Sequence, residues 1–215
     1  MNEKDLAKLI RETTLKVLSS DQQKSDKEIP IAASNRHIHL SAQAVDRLFG
    51  KGYQLQKLKD LSQPGQFAAK ETVTLIGPKG KLQKVRVLGP ARGDTQVEIS
   101  LTDGFALGQA APLRDSGDIE GTPGITIQGP KGQLKIDKGL ICAARHIHMH
   151  STDAERFQVE NGERVQVKVS GDRGLTFDNV LIRVSEKYRL EMHIDIDEAN
   201  AAQIKNGQLG TLLKY

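Results

Sequence analysis

The sequence predicts a mainly β protein of the barrel or sandwich class. Three segments read as hairpins, each with a Gly-x-x-Gly turn between alternating apolar runs: TVTLIGPKGKLQKVRVL (72–88), GITIQGPKGQLKI (124–136) and RVQVKVSGDRGLTFDNVLIRV (164–184). Only short helical stretches separate them, a pattern of barrels and sandwiches. Aromatic residues are 4% of the 215, with no Trp, so the core must come from Val, Ile, Leu and Ala.

In chain order, residues 1–20 place Leu6, Leu9, Ile10, Val17 and Leu18 at helical spacing, which predicts an amphipathic helix. Glu3, Asp5 and Glu12 argue against a mitochondrial presequence, and the apolar core of a secretory signal is missing. Residues 21–28 are polar and read as a linker. A tethered amphipathic helix docks either on its own body or on another protein. The strand-rich body begins at 29, with short helices expected over 41–49, over 152–158 with Thr152 and Glu155 as a capping box, and over 197–205. The uneven spacing of the hairpins excludes a solenoid.

Composition narrows the chemistry. One cysteine excludes an internal disulfide and a four-cysteine zinc module, and suits a reducing cytosol. The longest apolar runs are about five residues, as in Leu140 to Ala144, far short of a membrane-spanning helix. The net charge of +4 hides a central stretch, 51–93, with nine basic side chains and two acids. Such a stretch attracts a polyphosphate ligand or forms a solvated lysine-rich strand face. Nucleic acid is the weaker reading, because only Tyr53 and Phe67 are available there for stacking.

The histidines carry the main signal. RHIHLSAQAVDRLFGKG (36–52) and RHIHMHSTDAERFQVENG (145–162) share a strand ending in Arg-His-Ile-His, then a helix, then a turn glycine, which points to duplication. Residues i and i+2 of a strand share a face, so His37 with His39, and His146 with His148, project together while Ile38 and Ile147 face a core. Two imidazoles on one face can converge on one Zn²⁺, and each pair needs further ligands. His193 in LEMHIDID and Glu98 in TQVEISL are the candidates, each a polar group on an otherwise apolar strand. Taken alone, Glu98 also reads as an ion-pair partner and His193 as a satisfied strand histidine. Cys142 reads as a small buried thiol. The cupin spacing fails, since Gln43 and Thr152 stand where its glutamate belongs. An amidohydrolase barrel needs more length and alternating helices than this chain has.

SNRHIHLS (34–41), VRVLGPARGDTQVEIS (85–100), RDSGDIEGTPGI (114–125), ARHIHM (144–149) and LEMHIDIDEANAA (190–202) closely resemble the PduL-type phosphate acyltransferases, the phosphotransacylases of bacterial microcompartments. The likeness spans the chain from residue 29. It implies reversible transfer of a short acyl group between CoA and inorganic phosphate. It also implies two antiparallel β-barrels with short capping helices: the first strand, 29–40, joined to about 141–215, and a central segment of about 51–140. Two Zn²⁺ ions are implied, one held by His37, His39 and Glu98, the other by His146, His148 and His193. Arg92 matches the phosphate-binding arginine, and Ser34, Arg86, Leu88, Phe105 and Asn200 match positions contacting CoA, with Lys59, Lys84 and Arg86 as attractors of its phosphates.

The family's N-terminal helix serves as an encapsulation peptide, which implies shell or cargo partners, a cytoplasmic location inside a microcompartment, and a homodimer or larger assembly. No nucleic-acid or membrane partner is expected. His150-Ser151 replaces the family's Thr-Pro after the second RHIHM, which moves the expected helix cap to Ser151 or Thr152. A zinc-dependent thioesterase or phosphoesterase, and a non-catalytic metal-binding microcompartment component, remain the alternatives.

Overall fold

A computed structural model describes residues 27–215 together with Leu6, Arg11 and Thr13. Those three apart, the expected helix over 1–20 and the linker up to residue 26 lie outside the described residues. The elements are β1 (Glu28–Ser34), β2 (His37–Ser41), α1 (Ala42–Phe49), β3 (Lys57–Asp60), β4 (Phe67–Ile76), β5 (Lys81–Arg92), β6 (Gln96–Glu98), α2 (Leu101–Leu107), β7 (Leu113–Arg114), β8 (Ile125–Gln128) and β9 (Gln133–Ile136). They continue with β10 (Leu140–Ala143), β11 (His146–Met149), α3 (Ser151–Phe157), β12 (Arg164–Val169), β13 (Leu175–Val184), β14 (Glu191–Asp195), α4 (Ile196–Ala201) and β15 (Leu209–Leu213). None of the described helices is long and apolar enough to cross a membrane.

The protein is mainly β, as the sequence predicts, and all three hairpins form. β1, β14, β11, β13, β12 and β15 close a six-stranded barrel. The other strands form a nine-stranded half-barrel sheet in the order β7-β10-β6-β2-β5-β4-β8-β9, with β3 on β4. Pairing is mixed, since β2 with β5, β11 with β13, β1 with β14 and β10 with β6 run parallel.

Segment 29–40, expected as one strand belonging with 141–215, is two. The polar pair Asn35-Arg36 interrupts the apolar alternation, leaving β1 in the barrel and β2 in the sheet. β10 and β11 repeat this break at Ala144-Arg145 in the opposite sense, so residues 140–143 belong to the sheet. The chain thus crosses between the lobes twice: the sheet is the continuous stretch 37–143, and the barrel takes β1, parallel to β14, from before it and β11–β15 from after it.

The isoleucine of each Arg-His-Ile-His anchors a different core. Ile38 packs with Val73, Val87 and Val97 in the sheet; Ile147 packs with Ile31, Val165 and Met192 in the barrel. Both are fully buried, each burial stabilising the fold by about 1.5–3 kcal/mol.

The helices differ from expectation in detail. α1 begins as expected, capped by the Ser41 hydroxyl accepting from the Ala44 amide at 3.2 Å. α3 is not capped by Thr152 with Glu155, nor by Ser151. His150 Nδ1 accepts from the Thr152 amide at 3.3 Å, standing in for an asparagine oxygen. α4 stops at Ala201, short of 205, because Gln203 turns to φ 52; its capping box is Asp195 with Glu198. α2 is absent from the sequence reading, since Gly104 in the middle of its seven residues weakens the helical signal there. Both Gly-Pro-Lys-Gly turns seat a helix end: the Lys79 amide donates to Leu107 O and the Lys131 amide to Leu48 O, each at 3.0 Å.

Candidate functional site

β2 lies between β5, parallel to it, and β6, antiparallel; β11 lies in the same way between β13 and β14. Register therefore sets His37 opposite Glu98 and His146 opposite His193. At the strand entries, His37 Nδ1 donates to Asn35 O at 2.9 Å and His146 Nδ1 to Ala144 O at 2.8 Å. A carbonyl only accepts, so both rings carry hydrogen on Nδ1 and offer the Nε2 lone pair. Arg36 pairs with Asp103 of α2 at 2.9 Å and Arg145 with Glu198 of α4 at 3.0 Å, so each motif's arginine ties its strand to the helix after the neighbouring strand.

Each expected triad is brought together. The ligand atoms of His37, His39 and Glu98 all lie within 4.8 Å of one another, a group able to hold a metal ion. The rings of His146, His148 and His193 stand 4.7–5.2 Å apart, centroid to centroid. His39 Nδ1, His148 Nδ1 and His193 Nε2 are buried without a hydrogen-bond partner. His193 Nε2 sits 3.2 Å from Glu191 Oε2 but outside hydrogen-bond geometry. Orphaned buried nitrogens are costly unless they ligate something, so the residues fit a metal.

The protonation states agree. Burial, His37 and Arg92 push His39 down to about 3, and burial, His146, His193, Arg183 and Arg92 push His148 down to about 2. Burial and His193 lower His146. Burial alone would raise the Glu98 carboxyl, but His37 and His39, with a hydrogen bond from Ser116, hold it below the usual carboxylate range. Neutral imidazoles beside an ionised carboxylate are the ligating forms.

Both triads face one open cleft of about 790 Å³ between barrel and sheet, room for a nucleotide-sized ligand. Arg92, Ser34, Arg86, Leu88 and Lys59 line it. Arg86 is fixed by donating to Ala69 O at 2.9 Å and Lys70 O at 2.8 Å, and Arg92 approaches Gln66 Oε1 at 3.4 Å. Phe105, 84% exposed on α2, and Asn200 on α4 do not line the cleft, and Lys84 lies in a separate groove.

Sequence reasoning missed Gln96, Ser116, Arg183, Tyr188 and Glu191. Gln96 and Ser116 both donate to Glu98 Oε1, at 2.6 and 2.8 Å, which leaves Oε2 toward His37. Tyr188 packs on His148 with ring centroids 4.2 Å apart. Alternation along NVLIRV places Leu181 and Arg183 on one face, but only strand pairing says whose neighbour that face is.

Cys142 is buried, with Sγ 3.4 Å from Asp195 Oδ2, and burial followed by Asp195 pushes its thiol up to about 12. It is a poor nucleophile. His150 stays out of both triads, its Nε2 paired with Glu186 at 2.9 Å.

A family model described as phosphate propanoyltransferase matches residues 30–205. A phosphate propanoyltransferase of Thermotoga maritima is 57% identical over 87% of this chain and 90% of its own. One from Clostridioides difficile is 56% identical over 89% and 91%. Another, from Listeria monocytogenes, is 49% identical over 100% of this chain and 98% of its own.

Proposed function

The chain belongs to the phosphate propanoyltransferase family, and on that footing we propose that it moves a short acyl group, propionyl or acetyl, reversibly between CoA and inorganic phosphate. A phosphate oxygen bonds to the thioester carbonyl carbon, the carbon–sulfur bond breaks, and the thiolate leaves with CoA. The observation that supports this reading is the meeting of two ligand triads and Arg92 in one cleft.

The donor sets suit zinc, His37, His39 and Glu98 holding one ion and His146, His148 and His193 a second. Bound there, zinc would supply Lewis acidity for carbonyl, phosphate and thiolate oxygen or sulfur. Arg92 binds the phosphate through paired N–H donors and orients it for attack. Ser34, Arg86 and Leu88 line the wall along which CoA lies, with Lys59 near its phosphates. Phe105 and Asn200, off this cleft, are assigned to CoA by the resemblance alone, and the protein works as a homodimer or larger assembly. Cys142 takes no part, so no acyl-enzyme forms. Residues 1–20 serve as an encapsulation peptide that brings the enzyme to shell or cargo proteins inside a microcompartment.

One assay tests the reading: propionyl-CoA or acetyl-CoA, with and without phosphate and chelator, following free thiol. Thiol release that needs phosphate and stops with chelator is expected. Release without phosphate would mean a hydrolase, and no release a non-catalytic binder.

A further inference from the structure

Arg183 has no part in the reaction as set out above, yet it stands in the same cleft as Arg92 and both triads. β13 runs parallel to β11 and sets Arg183 beside His148 in register. Its Nη1 approaches the Ser116 carbonyl at 3.4 Å, on the loop whose Ser116 hydroxyl holds Glu98. Among the described residues, no carboxylate lies within ion-pair distance of Arg183 or Arg92; Arg86, which also lines the cleft, has none either but is held by the Ala69 and Lys70 carbonyls.

Arg92 and Arg183 repel each other across the cleft; Glu98, beyond ion-pair distance, attracts Arg92 more than Arg183 repels it, and an anion seated between the two guanidiniums would bind both. They come from opposite lobes, Arg92 from the end of β5 and Arg183 from β13. The position beside His39 that matches Arg183 is occupied by Leu88, so the duplication does not account for the charge. A single guanidinium leaves a bound phosphate free to turn about its own axis, whereas a second from another direction fixes which oxygen faces the carbonyl.

We propose that Arg183 is a second phosphate-binding residue, gripping the phosphate from the barrel side while Arg92 holds it from the sheet side. This rests on the transferase reading.

The test varies phosphate and acyl-CoA separately with the metal-loaded enzyme and its Arg183→Ala and Arg183→Lys variants. Losing a hydrogen bond to a charged group predicts a phosphate KM raised roughly 10–100-fold in Arg183→Ala. The acyl-CoA KM and metal content should stay unchanged. Arg183→Lys, which keeps the charge and most of the volume, should fold as the parent does and shift the phosphate KM in the same direction. Added guanidinium ion should restore part of the Arg183→Ala activity, a rescue that a merely structural role would not give. A phosphate KM within twofold of the parent in both variants overturns the proposal, as does a rise confined to the acyl-CoA KM. A parent enzyme that releases thiol without needing phosphate removes the transferase reading and this proposal with it. A phosphate-dependent parent with unmoved variants removes this proposal alone.

Discussion

Glu98 and His193 hold matching places, one across from His37 and the other across from His146, so one triad carries a negative charge and the other none. The anionic triad favours keeping a hard or borderline cation, while the all-imidazole triad leaves more positive charge for an incoming phosphate. His146→Ala should therefore lower turnover at least about 100-fold, and Cys142→Ala should keep most of it, since a thiol raised to about 12 holds almost no thiolate at neutral pH. Steady-state rates check both, and mass spectrometry finding an acyl adduct on Cys142 would contradict the second. Protonation gives a further expectation for the chelated protein. His39 and His148 are held to about 3 and 2, against an ordinary 6.5, so the unfolded chain takes up protons that the fold refuses. Their contribution to stability is constant above pH 6.5 and falls as pH drops from there toward 3, by up to about 1.4 kcal/mol per pH unit for each ring. Urea midpoints measured from pH 8 to 4 should be flat and then decline; a midpoint rising on acidification would contradict this. His37, His39, His146 and His148 were legible because His-x-His parity is local, Glu98 and His193 stood out as polar groups on apolar strands, and the resemblance supplied the grouping. Ser116 and Arg183 were not legible, because a loop and a strand register bring them to the site.

At the scale of elements, the Gly-Pro-Lys-Gly turns were read as hairpin loops, which they are, but each also closes the end of a helix from elsewhere in the chain. A Cβ on Gly77 would meet Leu107 O at 2.3 Å, and one on Gly129 would meet Leu48 O at 2.6 Å. Backbone cannot yield as a flexible side chain does, so Gly77→Ala should destabilise by about 1–3 kcal/mol. Gly93→Ala, with open space around it, should stay within about 0.5 kcal/mol of the parent. Chemical denaturation of both variants makes the comparison. The strands were visible because alternation over Val73, Leu75, Val85 and Val87 is a period-2 pattern. α2 was invisible because it is only seven residues long with Gly104 in its interior, and the shortened α4 ends on a backbone turn that propensity does not encode.

At the scale of the whole molecule, the sheet lobe is one continuous stretch, β2 to β10, while the barrel joins β1 to β11–β15 across it. The strand-to-helix duplication was plain in RHIHL and RHIHM, but the assignment of 29–40 to a single lobe failed because pairing partners are not written in a strand's own residues. Since the barrel closes only when β1 and β11–β15 meet across the whole sheet lobe, and Gln63, Thr102 and Ser116 are hydrogen-bonded to Arg189, Asp197 and Arg183 between the lobes, one lobe should not unfold while the other persists. Denaturation followed by far-ultraviolet circular dichroism and by Tyr fluorescence should give coincident single transitions, and separated transitions would contradict this. The two crossings between the lobes are two-residue links, Asn35-Arg36 and Ala144-Arg145, and each histidine triad begins directly after one of them, at His37 and His146. Any rocking of the barrel against the sheet pivots on these links. The triads therefore sit at the axle, where a rotation displaces atoms least, and the far rim of the cleft travels most.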